Sequence, residues 1–372
     1  MQIIMSCTAA DGRWNACGLP ARSLSAQTLH INIKKTHGEV IMTLISPSET
    51  GQPQPVLVKD SIISARHLTK KFGGEFAVED VSFDVPRASI FGFIGPSGSG
   101  KTTTIRLLTG VYTPTEGDVS VIDRSPADFS QGERARLGYM PQLFVLYPTL
   151  TVWENLNFAA SLYGMGLFRG KRLAEALKFV ELYEHRGKLA RNISGGMQRR
   201  LSLAATLVHD PQLIFLDEPT AGIDPVLRRK FWDHFRELKA QGRTIFITTQ
   251  YVSEADNCDL VGVQNNGRLL LVDTPQGIRH RAYGGDMVDF RTDQPFDFEA
   301  EASLRSLPCV RAKTVRTGPD SMRIIVDQAS SDTPQLMAWA QRQNIRVKTV
   351  EEYMPPFEDV FVELMRPEVK NG

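Results

Sequence analysis

Ile90-Phe91-Gly92-Phe93-Ile94-Gly95-Pro96-Ser97-Gly98-Ser99-Gly100-Lys101-Thr102-Thr103 decides how the rest of this sequence is read. The apolar run Ile90 to Ile94 reads as a buried strand, and Ile105, Leu107 and Leu108 carry a helical pattern beyond Lys101. Between them lies a glycine-rich loop. Glycines let successive backbone N–H groups turn inward around an anion. The helix that follows aims the positive end of its dipole at the same point. Lys101 adds a cation, and the Thr102 hydroxyl is the oxygen ligand that a hard ion such as Mg²⁺ prefers. Residues Gly95, Pro96, Ser97, Gly98, Ser99, Gly100, Lys101, Thr102 and Thr103 are therefore the expected phosphate site. The flanking strand and helix distinguish them from a chance glycine-rich turn.

Outward from that loop, Leu213-Ile214-Phe215-Leu216-Asp217-Glu218 is a second buried strand that delivers two carboxylates to its end. Beside a phosphate loop, Asp217 suits the metal shell and Glu218 suits the polarisation of an attacking water. Thr244 to Thr248 is a further buried strand. Strands alternating with helices predict a parallel sheet covered on both faces. Upstream, Ile62 to Phe72 and Val78 to Val85 read as strands. Residues 143–192 carry a helical pattern (Trp153, Leu156, Phe158, Leu162, Leu173, Leu177, Val180) and are expected to form an insert between two halves of the α/β core. The main domain is placed at 61–280. Beyond it, 282–366 is expected to be a small α+β accessory domain in the ferredoxin-like β-α-β-β-α-β order, with strands at Met287–Arg291, Val310–Val315, Ser321–Asp327 and Ile345–Val350. Residues 1–60 are expected to be a disordered extension, ending in the polar, Pro-containing linker Ser46–Pro55.

Further motifs bring in a family. Asn192-Ile193-Ser194-Gly195-Gly196-Met197-Gln198 resembles the signature sequence of ABC-type ATPases, in the form common in drug exporters. Met140-Pro141-Gln142 resembles the family's Q-loop, and Pro219 to Pro225, with Asp224, resembles its D-loop. These motifs stand in the family's order from about Ile62 to Thr274, and Pro355 to Phe361 resembles the C-terminal ending of the drug-exporter branch. The resemblance implies the P-loop fold of the ABC type, with ATP and Mg²⁺ as ligands. It implies Thr102, Gln142 and Asp217 around the metal and Lys101 and Glu218 in catalysis. It also implies an aromatic stacked on adenine at Phe72, with Phe76 as the competing position. Ser194 also has a rationale of its own. A serine before two glycines and a long helix caps that helix and makes a second anion site in the same chain. A head-to-tail pair would then close the signature of one copy over the phosphate loop of the other. One departure stands out: Gln250, in Thr248-Thr249-Gln250-Tyr251, occupies the place where most of the family has histidine. Glutamine can donate a hydrogen bond but does not titrate near neutrality.

Composition bounds the alternatives. A formal net charge of +1 gives no broad pull toward nucleic acid. Four cysteines without metal-ligand spacing support neither a zinc site nor a disulfide framework. No stretch of about 18 apolar residues predicts a membrane span. The chain is thus expected to be a cytoplasmic ATPase subunit of an exporter, peripheral on the membrane through a separate permease and paired with a second copy of itself. Tyr147, Leu150 and Trp153 are candidate permease contacts. Two other readings remain open: a soluble ABC ATPase without a transport role, and a non-hydrolysing regulatory subunit.

Overall fold

In chain order the first elements are the strands β1 (Gln2–Met5), β2 (His30–Thr36) and β3 (Glu39–Ile45). They pair antiparallel in the order β1-β3-β2 and belong to a unit that ends at Gln54. The computed structural model describes residues 2–5, 30–36, 39–45, 60–142, 146–311 and 314–366. The expected disordered extension 1–60 and its linker fall largely outside those residues.

The second unit opens with β4 (Ser61–Phe72), β5 (Glu75–Pro86), β6 (Ile90–Ile94), helix α1 (Lys101–Leu108), β7 (Glu116–Val121), the single turn α2 (Gln131–Arg134) and β8 (Leu137–Met140). Helices α3 (Val152–Leu162), α4 (Gly170–Phe179) and α5 (Gly195–Leu207) follow. Next come β9 (Leu213–Asp217), α6 (Pro225–Ala240), β10 (Thr244–Thr249), β11 (Leu260–Asn265), β12 (Arg268–Asp273) and α7 (Pro275–Tyr283).

A six-stranded sheet runs β12-β11-β6-β10-β9-β8. All neighbours are parallel except the edge strand β12. Its residue alternation builds two cores, because successive side chains on a strand point to opposite faces. Ile90, Ile94, Ile214, Leu216, Ile245 and Ile247 face α6, meeting Phe231, Trp232 and Phe235. Phe91, Phe93, Phe215 and Phe246 face the other way, toward α1 and a second sheet ordered β5-β4-β7. There Phe91 and Phe246 stack with centroids 5.3 Å apart, and Phe83 of β5 lies on Phe91 at 5.6 Å. The strands expected at Ile62–Phe72 and Val78–Val85 thus form a separate antiparallel layer, and the parallel sheet is covered on both faces as expected.

The helical insert has its own core, with Val152, Leu156, Leu173 and Leu177 packed against Leu201, Ala204 and Ala205 of α5. It therefore extends past the expected limit of 192, because the signature helix supplies one wall. Two capping boxes fix helix starts in and before this lobe: Thr151 with Glu154 on α3, and Ser130 with Glu133 on α2.

The chain ends in β13 (Asp286–Thr292), α8 (Phe298–Arg305), β14 (Val315–Gly318), β15 (Ser321–Val326), α9 (Ala329–Arg342), β16 (Val347–Glu352) and α10 (Phe357–Met365). The strand order β14-β15-β13-β16, all antiparallel, is that of a β-α-β-β-α-β fold. The second strand corrects the sequence reading. Val310 makes only an isolated bridge to Val326, and the paired segment begins at Val315. The limit at 366 also changes. Phe357 and Val360 of α10 are buried in the same core as α6 and the parallel sheet. Arg279 of α7 fixes that return by donating to the Pro355 carbonyl at 3.0 Å, pairing with Asp256 at 2.5 Å and lying over the Phe357 ring. The last helix belongs to the core of the main domain, and the small domain closes at β16.

Candidate nucleotide site

The phosphate loop is pressed so tightly between neighbouring strands that two of its residues have no room for a side chain. A Cβ on Gly95 would lie 2.1 Å from the Gln264 carbonyl oxygen of β11. One on Gly100, whose φ is +104°, would lie 2.3 Å from the Ala77 carbonyl oxygen of β5. Gly100 is the N-cap of α1, so the glycine that turns the chain also starts the helix. Lys101 is buried and its Nζ donates to the Gly95 and Pro96 carbonyls, both at 2.9 Å. Burial lowers the Lys101 pKa, against the opposing pull of Glu218 and Asp217 nearby. Thr102 and Thr103 follow on the half-buried side of the first turn.

The two acids leave β9 beside this loop. Asp217 is fully buried, and one of its oxygens accepts from the Thr248 hydroxyl at 2.5 Å. Its other oxygen is buried with no hydrogen-bond partner. A buried carboxylate oxygen left bare is costly unless something binds it, and oxygen is what Mg²⁺ selects. The Ser99 hydroxyl oxygen, also buried and unpartnered, lies in the same loop. Glu218 has φ +52°, in the left-handed region that a residue with a Cβ seldom adopts. Its N–H is held by the Thr248 carbonyl at 3.0 Å and hydroxyl at 3.2 Å. The turn sends its carboxylate toward Gln142, whose amide Nε2 donates to it at 3.0 Å. Gln142 and Glu218 are 76 residues apart in sequence and meet in the fold.

Arg199 was not singled out by the sequence. It reaches from the first turns of α5 to donate to the carbonyls of Glu218, Pro219 (3.2 Å) and Gln142 (3.4 Å). It thus braces the acid turn and the Q-loop together, and burial lowers its pKa. No local motif marks it, because its partners are backbone atoms distant in sequence. Thr248 was read only as strand, although its hydroxyl serves both acids.

Gln250 is exposed and follows directly on β10. In register, Thr249 pairs with Ile94 and Thr248 with Asp217, so Gln250 emerges between the phosphate loop and the acids. Phe72 and Phe76 are about equally exposed, at 46% and 47%. Phe72 sits edge-on to Tyr112 at 5.3 Å with Lys70 above it, while Phe76 has Lys71 over its ring. Ser194 caps α5 through the Met197 N–H at 3.3 Å, and Asp224 caps α6 through the Leu227 N–H at 3.0 Å. Ser194 and Gly195 are exposed, and a Cβ on Gly195 would meet nothing within 4 Å. Among the described residues no cluster of His, Cys, Asp and Glu could hold a metal alone, and no helix is long and apolar enough to cross a membrane.

Residues 78–221 match the family described as ABC transporter. The chain is 37% identical over 244 residues to the probable multidrug ABC transporter ATP-binding protein YbhF of Escherichia coli K12, covering 64% of this chain but 41% of that one. It is 35% identical over 268 residues to the Nod factor export ATP-binding protein I of Ralstonia nicotianae, covering 69% of this chain and 84% of that one. In structure it resembles the dimeric post-hydrolysis state of the ATP-binding cassette MJ0796 bound to ADP and Pi, with a TM-score of 0.54 and 26% identity, over 57% of this chain and 98% of that one. With the glycine-lined phosphate loop, the paired acids and the signature helix in one fold, this chain belongs to the ATP-binding proteins of the ABC transporter family.

Proposed function

We propose that the chain is the ATP-hydrolysing subunit of an exporter and energises a permease carried on another chain. The observation that supports this best is the meeting of Lys101, Gln142 and the Asp217-Glu218 pair, from three separate segments, at the carboxyl end of the parallel sheet. In this reading the N–H groups of residues 95–103 and Lys101 hold the phosphates, and Phe72 offers its ring to the adenine. Thr102, Asp217 and Gln142 would hold Mg²⁺, which would supply charge neutralisation at the phosphates. The bare oxygen of Asp217 fits that ion. Glu218 accepts a proton from water as its oxygen attacks the γ-phosphorus. The bond from that phosphorus to the bridging oxygen breaks, releasing ADP and phosphate. Gln250 orients the water or the γ-phosphate by hydrogen bonding. Ser194, Gly195 and Gly196 of a second copy close the site, and Asp224 lies at the same junction.

The helical lobe offers the permease contact. Tyr147 is exposed and meets Phe158 edge-on at 4.8 Å, whereas Trp153 is partly buried in the lobe's own core and Leu150 is half-buried. The cytoplasmic face of a membrane is the corresponding location. Export relatives carry different cargoes in their names, and nothing in a nucleotide site selects a cargo. The test is ATP binding and Mg²⁺-dependent turnover of the purified chain, alone and with its permease, for wild type and Glu218→Gln. Turnover lost in the variant with binding retained supports the reading. ATP bound by wild type without hydrolysis in either condition favours the regulatory alternative.

A further inference from the structure

The turn between α3 and α4 holds two large apolar side chains wholly in solvent. Leu167 is 92% exposed and Phe168 104%. This turn is well anchored. Gly164, with φ +70°, turns the chain off α3, and Met165 tucks back against the lobe's core with its N–H on the Ala160 carbonyl. Arg169 then ties the far side down, donating to Asn157 at 2.8 Å, the Met165 carbonyl at 2.7 Å and Ser161 at 2.5 Å. A fold that orders a loop this closely while leaving its tip apolar and bare is holding that tip for a partner. The exposed stripe continues along α3, where Leu162 (63% exposed) lies one turn from Phe158.

Shape and charge identify the partner. The tip protrudes, whereas a helix of a partner protein seats in a groove. The segment Leu167-Phe168-Arg169-Gly170-Lys171-Arg172 carries three cations and no acid; Arg169 is held within the turn and Arg172 by the Val208 carbonyl and Asp210 at 3.7 Å, while Lys171 extends into solvent with Glu175 at 3.9 Å. Residues 146–208 as a whole contain nine Lys and Arg against four Asp and Glu, in a chain whose net charge is only +1. Apolar side chains at a tip with cations behind them are the composition of an interfacial membrane contact, with rings and aliphatic groups among the acyl chains and cations at the anionic headgroups.

We propose that the Gly164–Arg172 turn is a lipid-contact element that inserts Leu167 and Phe168 into the headgroup region of an anionic membrane surface. It thereby orients the helical lobe independently of the permease. The inference draws its setting from the membrane-associated function proposed above, but it can be read without nucleotide or permease.

The test is co-sedimentation of the purified full chain with vesicles of phosphatidylcholine alone or of equal parts phosphatidylcholine and phosphatidylglycerol. Wild type is expected to bind the anionic vesicles on the order of tenfold more tightly than the neutral ones, and less tightly as salt is raised. The double variant Leu167→Ser/Phe168→Ser should lose on the order of tenfold or more in binding, with ATP binding and thermal stability unchanged because both side chains are already in water. No binding to anionic vesicles, or equal binding by the double variant, overturns the proposal. So does a double variant that still binds vesicles but no longer co-purifies with the permease, since the tip is then a protein contact. Retained ATP binding in any of these cases leaves the nucleotide site standing, whereas its absence in wild type counts against the nucleotide site alone.

Discussion

Two helices of this chain begin at an end that the proposed function reads as an anion site, and they are built in opposite ways. The first turn of α1 is enclosed: Gly95 and Gly100 have no space for a Cβ, Lys101 is buried, and the acids of β9 and the amide of Gln142 stand beside it. The first turn of α5 is open: Ser194 and Gly195 are exposed, with free space in front of Gly195. The first end has its catalytic partners in the same chain. The second has a cap, two glycines and no complement of its own, yet Arg199, a turn further along the same helix, grips the acid turn. In the function proposed above, the first end holds and cuts ATP and the second completes the site of another copy, with Arg199 tying the two together.

Substitutions at the two ends should therefore fail differently. The largest effect is expected for Lys101→Ala, which removes a preorganised cation from a developing anion and should slow turnover on the order of a hundredfold or more. The fold should be retained by circular dichroism. Near-normal turnover would falsify the assignment of the loop. Ser194→Ala should be milder, roughly tenfold in rate, because one hydroxyl hydrogen bond worth about 1.4 kcal/mol to the closed site is lost. Its signature is kinetic: equilibrium ATP binding by the isolated chain should match wild type, while Lys101→Ala weakens it. Equal loss of binding in both variants would erase the distinction between the two ends.

Smaller again is the effect expected at Gln250, which leaves β10 beside the acids. Gln250→Ala should slow turnover several-fold, and Gln250→His should restore it. Since glutamine has no ionisation near neutrality, only the histidine variant should show a limb in its rate profile at about pH 6 to 7. A limb of equal size in wild type would have to arise from another group.

The smallest expected effect lies in the helical lobe, away from both ends. Burial lowers the His209 pKa, while the Leu137 carbonyl on Nε2 opposes it, and the ring stacks on Tyr163 at 3.5 Å. A histidine held neutral in the folded chain takes up protons preferentially when unfolded. Its stabilising contribution is therefore complete above the unfolded value of about 6.5 and is lost as pH falls through it toward the folded value. Thermal melts of His209→Gln should lose less stability than wild type over that acid window. Parallel pH dependence in the two proteins would remove His209 from the account.

The sequence is most legible where a buried strand ends in a motif. The strands before the phosphate loop, the acids and Gln250 are short apolar runs that end in chemistry, and each lies where its pattern put it. The strands that the sequence does not mark include the buried Leu260–Asn265 and its edge neighbour Arg268–Asp273, which end in no motif, and two whose surroundings do not force a pattern. Glu116–Val121 is an edge strand with exposed polar residues, and Leu137–Met140 is four residues including a glycine. The last helix showed an apolar face, but nothing local says that Phe357 and Val360 bury against a core formed by residues a hundred positions upstream. Arg199 is illegible for the same reason, since its role rests on backbone carbonyls of distant segments.

The central claim is that the exposed signature end of one copy completes the enclosed phosphate end of another. Glu218→Gln keeps both half-sites and removes the proton acceptor, so the closed state should persist with ATP bound. The direct measurement is the molar mass of this variant by light scattering on a sizing column, with and without ATP and Mg²⁺. A dimer is expected with ATP that returns to monomer when nucleotide is withdrawn, with a larger monomer fraction when Ser194→Ala is added and a monomer throughout when Lys101→Ala is added. A Glu218→Gln protein that binds ATP and stays monomeric would contradict the central claim.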